Sequence, residues 1–436
     1  MSQPLAPLAA DSGSTITRQQ WKWSALAGMA SYLDAGSIVA LGVGLALFQT
    51  EFGLSNGAVG TLAAIGPNAL GCALGAFLGG WLGDKLGRKF IYQYDLMVYA
   101  VGILFITFAV NAEMLFIGTF IVGVAVGADV PTSLALVGEF APDKARGKLL
   151  GFTQIAWCLG PVIVLLLGAA LAPYGLLGIR IIFFHLFLVA FVTWAMRRGL
   201  TESPRWKEAK KAYDIAPSKR NNMALLFSGS NLKALIWTTT IYLFWNLAAG
   251  TAGAFNSYLI KMNAGGSQAE ATIMPCVAFI TAMIFTVFVF MKFSDRSFAA
   301  RKTMWGIGAV VQIIAYALFM VLPFSIPVVF VNILMFSAGG ALAGEAFYKV
   351  FSQELFPTMI RGTAQGFSFG AARVAVGIWS FFVPMVADFS LPLLGGILAG
   401  SLFISGAVGF FFMPDTSGKS LEQIETERTT APFPAR

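Results

Sequence analysis

GGWLGDKLGRK at 79–89 interrupts two apolar runs, and FSDRSFAARK at 293–302 interrupts two others. Each stretch places an acid and a cluster of cations where a hydrophobic run ends. A second pair follows in the same order: EFAPDKARG at 139–147 returns as ELFPTMIRG at 354–362. The chain is therefore a duplicated unit, and the loops that punctuate it lie at matching places in the two halves. Parallel repeats of six membrane helices, related by an axis along the membrane normal, are one architecture that produces this pattern.

The runs around these loops have the length of membrane spans. At roughly 20 apolar residues per crossing, helices are predicted near 22–49, 57–81, 90–111, 113–138, 148–173, 178–196, 232–260, 270–292, 303–323, 325–350, 362–387 and 391–413, twelve in all. Composition agrees, with 57% hydrophobic and 11% charged residues and 47 Gly among 436. A soluble domain carries more charge, and Gly lets membrane helices approach closely. The expected fold is an all-α membrane protein of twelve helices in two six-helix bundles. Its expected parts are an N-terminal tail (1–21), a bundle (22–196), a basic linker (197–231), a second bundle (232–413) and a C-terminal tail (414–436).

A net charge of +8 does not indicate nucleic acid, because the cations cluster in short loops between spans. With the N-terminus inside, only Arg180 and Lys261 fall outside, so both termini are expected to be cytoplasmic in a plasma (inner) membrane. The polar start, Met1 to Gln20, lacks the pattern of a cleavable signal, and the first span is expected to direct insertion. Cys72, Cys158 and Cys276 lie in apolar runs, which gives no basis for a disulfide framework or a metal site. Within the linker, Glu202 to Tyr213 reads either as a short amphipathic helix or as a solvated connection.

These segments resemble the major facilitator superfamily and, within it, the sugar porter family. The resemblance rests on GDKLGRK at 83–89, EFAPDKARG at 139–147, ESPRW at 202–206, ELFPTMIRG at 354–362 and PDTSGKSLE at 414–422. It implies secondary transport by alternating access. Physically, these motifs can latch one face of the protein. Asp84 can sit against the positive end of a neighbouring helix. The cations Arg88, Arg146 and Arg361 can pair across the two halves with Glu139, Glu202 and Glu354, and Asp295 and Arg301 join them as candidates for cytoplasmic gating. The alternative is that the cations only fix topology.

Charges inside a span are costly and are functional candidates by default. Asp34 lies near the middle of the first span, where the resemblance places the acid linked to proton coupling. Sugar porters tend to pair that acid with an Arg in the fourth span, and this chain has Thr119 there. Asp129 is a second proton acceptor or caps a bend before Pro131. Glu345 and Lys349 are four apart on one helix face and can pair, so Glu345 joins the proton-coupling candidates. Lys349 and Arg373 stand where sugar porters commonly have Trp. They either hold an anionic substrate or serve as counterions to Asp34, Asp129 and Glu345.

Polar and aromatic candidates for the substrate are Gln154, Trp157, Trp245, Asn246, Asn256 and Tyr258; by the resemblance Gln154 is the sugar-contacting amide. His185 is read as core. No phosphate-binding loop, metal cluster or hydrolytic motif appears, so no enzyme activity, cofactor or metal is expected. The expected function is proton-coupled uptake of a small hydroxylated metabolite such as a sugar, inositol or sugar acid. The alternatives are import of another organic anion and, less favoured, export. The expected partners are a small-molecule substrate, protons and membrane lipid, with no nucleic acid, for a monomer.

Overall fold

A computed structural model describes residues 15–199, 202–215, 222–265 and 267–430; a few helical side chains, Tyr258 among them, lie outside the described set. The described residues form helices and connecting turns, with no strand among them. In chain order the helices are α1 (Arg18–Phe52), α2 (Asn56–Ile65), α3 (Leu70–Leu86), α4 (Arg88–Thr107), α5 (Ala112–Phe140), α6 (Arg146–Leu171) and α7 (Leu176–Arg197). Two short helices follow, α8 (Pro204–Ile215) and α9 (Asn222–Leu226). The second half holds α10 (Gly229–Met262), α11 (Gln268–Phe285), α12 (Met291–Phe293), α13 (Phe298–Val321), α14 (Ile326–Leu342), α15 (Glu345–Glu354), α16 (Arg361–Phe389) and α17 (Leu391–Phe411). A terminal α18 (Leu421–Thr430) completes the order.

Among the described residues, eleven segments are long and apolar enough to cross a membrane. The twelfth expected span corresponds to α10, which at 34 residues is long enough but more polar, carrying the Thr238–Thr239–Thr240 run and Asn246. Three spans differ from the straight helices expected. The second is broken between α2 and α3 at Gly66-Pro67-Asn68, because Pro67 has no N–H and its ring excludes the preceding helical carbonyl. The tenth is broken at Ala343-Gly344, which starts α15 afresh at Glu345. The eighth passes through a π-helical turn at Thr286–Phe290.

The two halves each pack into a bundle. In the first, α1 lies along α6, α3 and α4 lie along α5, and α7 closes against α1 and α4. The second repeats this, with α13 against α14 and α17 and with α10 against α16 and α17. The bundles meet along α3–α16 and α6–α11. Lipid supplies no hydrophobic force between helices, so close van der Waals approach must hold them together. Gly80 permits it here, since a Cβ at that position would lie 2.2 Å from the Gly362 carbonyl oxygen. Gly366 does the same from the other side, facing the Ala76 carbonyl at 2.2 Å.

Candidate functional site

Between the bundles lie two adjoining cavities of about 50 and about 120 Å³. One water needs roughly 10–15 Å³, so the larger space admits several waters or a small solute. Trp157 from α6, Trp245 from α10, Phe279 from α11 and Glu345 from α15 line both cavities. Each half therefore contributes walls, the arrangement that alternating access requires.

Asp34 is buried on α1, halfway along an unbroken helix. Its Oδ2 accepts from Trp157 Nε1 at 3.1 Å and lies 3.5 Å from Arg373 Nη2 on α16. Arg373 Nη1 donates to Asn68 Oδ1 at 3.0 Å, and its guanidinium sits over the Phe369 ring at 4.8 Å. The Pro67 break places Asn68 on this wall. Asp34 Oδ1 and Arg373 Nε remain without protein partners. The cation opposite Asp34 thus comes from the other bundle. Thr119, at the family's usual Arg position, is buried with its hydroxyl unpaired.

Glu345, the first residue of α15, stands where the helix dipole favours an acid. Lys349 Nζ lies 3.6 Å from Glu345 Oε1 and donates to Gln154 Oε1 at 2.7 Å. Gln154 Nε2 in turn donates to Glu345 Oε2 at 3.2 Å, so a three-membered polar bridge joins α15 to α6. Neither Arg373 nor Lys349 is a free cation waiting for an anion; each already faces an acid. Gly344 allows the neighbouring Trp245 indole to approach, since a Cβ there would meet the ring at 2.6 Å. Trp245 Nε1 donates to Gln312 Oε1 at 2.7 Å. Asn246 lines the smaller cavity and Asn256 the larger.

Asp129 does not join this group. Its Oδ2 lies 3.0 Å from Arg197 Nη1, its other oxygen accepts from Ser133, and Asp95 stands 3.6 Å from the same guanidinium. Arg197, read from sequence as a loop cation, is instead buried in the last turn of α7. Sequence reading missed Asn68, Asp95, Arg197 and Gln312. Pro67 signals a break but not its direction, and Arg197 looks like any topology-setting Arg at the end of a span.

The motif-bearing face is latched across the bundles. Asp84 accepts from the Gly362 and Thr363 amides at 3.0 and 2.6 Å, at the N-terminus of α16. Its counterpart Asp295 accepts from the Gly147 and Lys148 amides, both at 2.9 Å, at the N-terminus of α6. Burial raises the pKa of Asp295 from its ordinary value, while Arg301 and these amides oppose the shift. The acids and cations of the duplicated loops exchange partners: Arg146 meets Glu354 at 3.2 Å and Arg361 meets Glu139 at 3.1 Å. Arg88 pairs with Asp84 at 2.5 Å and Glu139 at 3.1 Å and donates to the Thr358 carbonyl across the interface at 2.7 Å. Arg301 holds Glu354 within its own bundle at 2.8 Å.

Glu202 departs from the expected cross-bundle pairing. It accepts from the Arg88 and Lys89 amides at 3.2 and 3.0 Å, and so caps α4 inside its own half. The stretch after it is helical, with Trp206 Nε1 donating to the Asp84 carbonyl at 3.0 Å.

Residues 24–371 match the Major Facilitator Superfamily. The chain is 38% identical over 412 residues to the minor myo-inositol transporter IolF of Bacillus subtilis, covering 93% of each chain. It is 25% identical over 296 residues to the cis,cis-muconate transport protein of Acinetobacter baylyi, covering 64% of this chain and 67% of that protein. Among solved structures it resembles the proton:xylose symporter XylE bound to 6-bromo-6-deoxy-D-glucose, with a TM-score of 0.80 at 19% identity, covering 93% of this chain and 98% of that one. The chain belongs to the major facilitator superfamily and is a membrane transporter rather than an enzyme.

Proposed function

We propose that the chain imports a small neutral polyhydroxylated solute, such as a cyclitol or sugar, together with a proton carried on Asp34. The observation that carries this reading is the Asp34–Arg373 bridge, which runs from α1 to α16 across the two bundles. Protonating Asp34 removes half of the bridge and frees Arg373, so proton binding and movement of the bundles become one event. With Arg373 matched by Asp34 and Lys349 by Glu345, the remaining lining is suited to hydroxyls and a ring face: the amide of Asn246 and the indoles of Trp157 and Trp245. The similarity to a myo-inositol transporter supports the same class.

In this reading the latched, motif-bearing face is cytoplasmic, and solute and proton enter from the opposite side. Binding closes the cavity, and the exchanged Arg146–Glu354 and Arg361–Glu139 pairs part to release both inward. The Lys349–Gln154–Glu345 bridge is a second contact that substrate hydroxyls can replace. Uptake into proteoliposomes tests the proposal: a cyclitol or hexose should accumulate against its gradient only when a proton gradient is imposed. Accumulation without one would overturn it.

A second reading, an organic-anion substrate, draws on the similarity to a muconate transporter and on the unpartnered Nε of Arg373. Membrane voltage separates the two. One proton with a neutral solute moves one charge, worth about 2.3 kcal/mol per 100 mV. Accumulation then changes roughly 50-fold per 100 mV. A monoanion moving with one proton would show no such dependence.

A further inference from the structure

The group formed by Asp95, Asp129 and Arg197 lies apart from the cavity. Along α1, Arg197 grips the Leu26 carbonyl through Nε at 3.3 Å and Nη2 at 2.9 Å. Leu26 is eight residues from Asp34, a separation of about 12 Å along a helix rising 1.5 Å per residue. The facing groups are Tyr92 and Asp95 from α4, Asp129 and Ser133 from α5, Arg197 from α7 and the Leu26 carbonyl from α1. Tyr92 lies under the Arg197 guanidinium, 3.6 Å from ring centre to Cζ.

Two carboxyls share one guanidinium here, and Asp95, Asp129 and Arg197 are all buried residues, at 6%, 2% and 3% exposure. Both ionised, they would leave an uncompensated negative charge in a low-dielectric interior, which is strongly unfavourable. The acceptor inventory shows which group is over-supplied. Asp129 uses both oxygens, on Ser133 and Arg197. Asp95 Oδ1 takes the Leu96 amide at 2.5 Å and stands at the longer 3.6 Å from Arg197. Asp95 Oδ2 is buried and accepts no hydrogen bond, while the two carboxyls face the same guanidinium at 3.6 and 3.0 Å. Two buried carboxyls on one cation avoid the excess charge when one of them carries a proton, and the unbonded Asp95 oxygen is the place left for it.

We propose that Asp95 and Asp129 share one proton beside Arg197, forming a second proton-binding site that is buried in the first bundle and lies outside the substrate cavity. Its ligand is a proton, bound mainly on Asp95 while Asp129 stays paired with Arg197. Neither the substrate nor the coupling role of Asp34 enters the argument. Loss of the proton would leave the cluster negative and weaken the hold on α1.

Infrared difference spectra of the full-length protein, recorded as pH is raised, test this in an Asp34→Asn, Glu345→Gln background that removes the cavity acids. The expected result is a carboxylic-acid C=O band present at neutral pH and bleached at alkaline pH. Asp95→Asn should abolish the intensity of one carboxyl. Asp129→Asn should do the same, because the remaining acid is then matched by Arg197 and ionises. A band unchanged in both variants, or no such band in the background protein at neutral pH, would overturn the proposal. Should Asp95→Asn fail to fold, Asp129→Asn decides the matter alone.

Discussion

In the proposed cycle the Asp34–Arg373 contact, 3.5 Å long and spanning the two bundles, would serve both coupling and selectivity. The Asp34→Asn variant keeps shape and the Trp157 neighbour but can no longer cycle a proton. It is expected to retain solute exchange between equal concentrations and to lose uphill accumulation, measured in proteoliposomes under an imposed proton gradient. For Arg373→Gln the two substrate readings diverge. If Arg373 serves Asp34, binding of a neutral polyol and of its carboxylate analogue should fall by the same factor. If it holds a substrate carboxylate, the anion alone should lose a charge-assisted bond of about 1.5–3 kcal/mol, roughly 10- to 150-fold in affinity. Isothermal titration of both ligands against both proteins measures the difference.

At the level of elements, the broken helices place the polar groups. The Pro67 break directs Asn68 toward Arg373, and the Gly344 break starts α15 with Glu345 in its first turn, where Lys349 follows one turn later. Glycine sets the spacing between elements: of the two adjacent glycines in the opening motif, Gly79 faces Ala128 on α5 and Gly80 faces Gly362 on α16. Gly80→Val is therefore expected to push α3 from α16 and open the latched face. Overpacking costs about 1–3 kcal/mol, enough to shift a two-state balance 5-fold or more. With Thr358→Cys as reporter, its thiol should react faster in the Gly80→Val protein; an unchanged rate would show that the α3–α16 contact does not set the latch.

For the whole molecule, the latch joins the bundles at two related helix N-termini, through Asp84 and Asp295, and at two exchanged ion pairs. These contacts lie on the motif-bearing face, away from the cavity. Arg146→Ala leaves Glu354 paired with Arg301 at 2.8 Å and bonded to Thr416 at 2.6 Å, so the variant should fold. It is expected to bind substrate with nearly wild-type affinity in the state it occupies and to turn over several-fold more slowly. Equilibrium binding and exchange rate, measured together, separate this from damage to the cavity.

Sequence by itself determined the helical membrane fold, its duplication and the charged loops whose side chains pair between the bundles, because each is written in local chemistry. A run of apolar residues must be helical in lipid, since its backbone groups have no water to bond. A loop acid next to a cation cluster, repeated in both halves, marks the face on which the bundles are joined by ion pairs. The pairing of Glu345 with Lys349 was legible for the same reason, being set by helical periodicity. Tertiary structure alone decided which distant charge faces which. Arg373 meets Asp34 and Asn68, Asp129 meets Arg197 rather than the cavity acids, and Glu202 caps α4 rather than bridging the bundles. A charge buried in a helix must find a partner, but several neighbouring helices can offer one. The choice depends on helix rotation, on the breaks at Pro67 and Gly344, and on the close approaches that glycine permits, all of which are properties of the packed bundles rather than of any one segment.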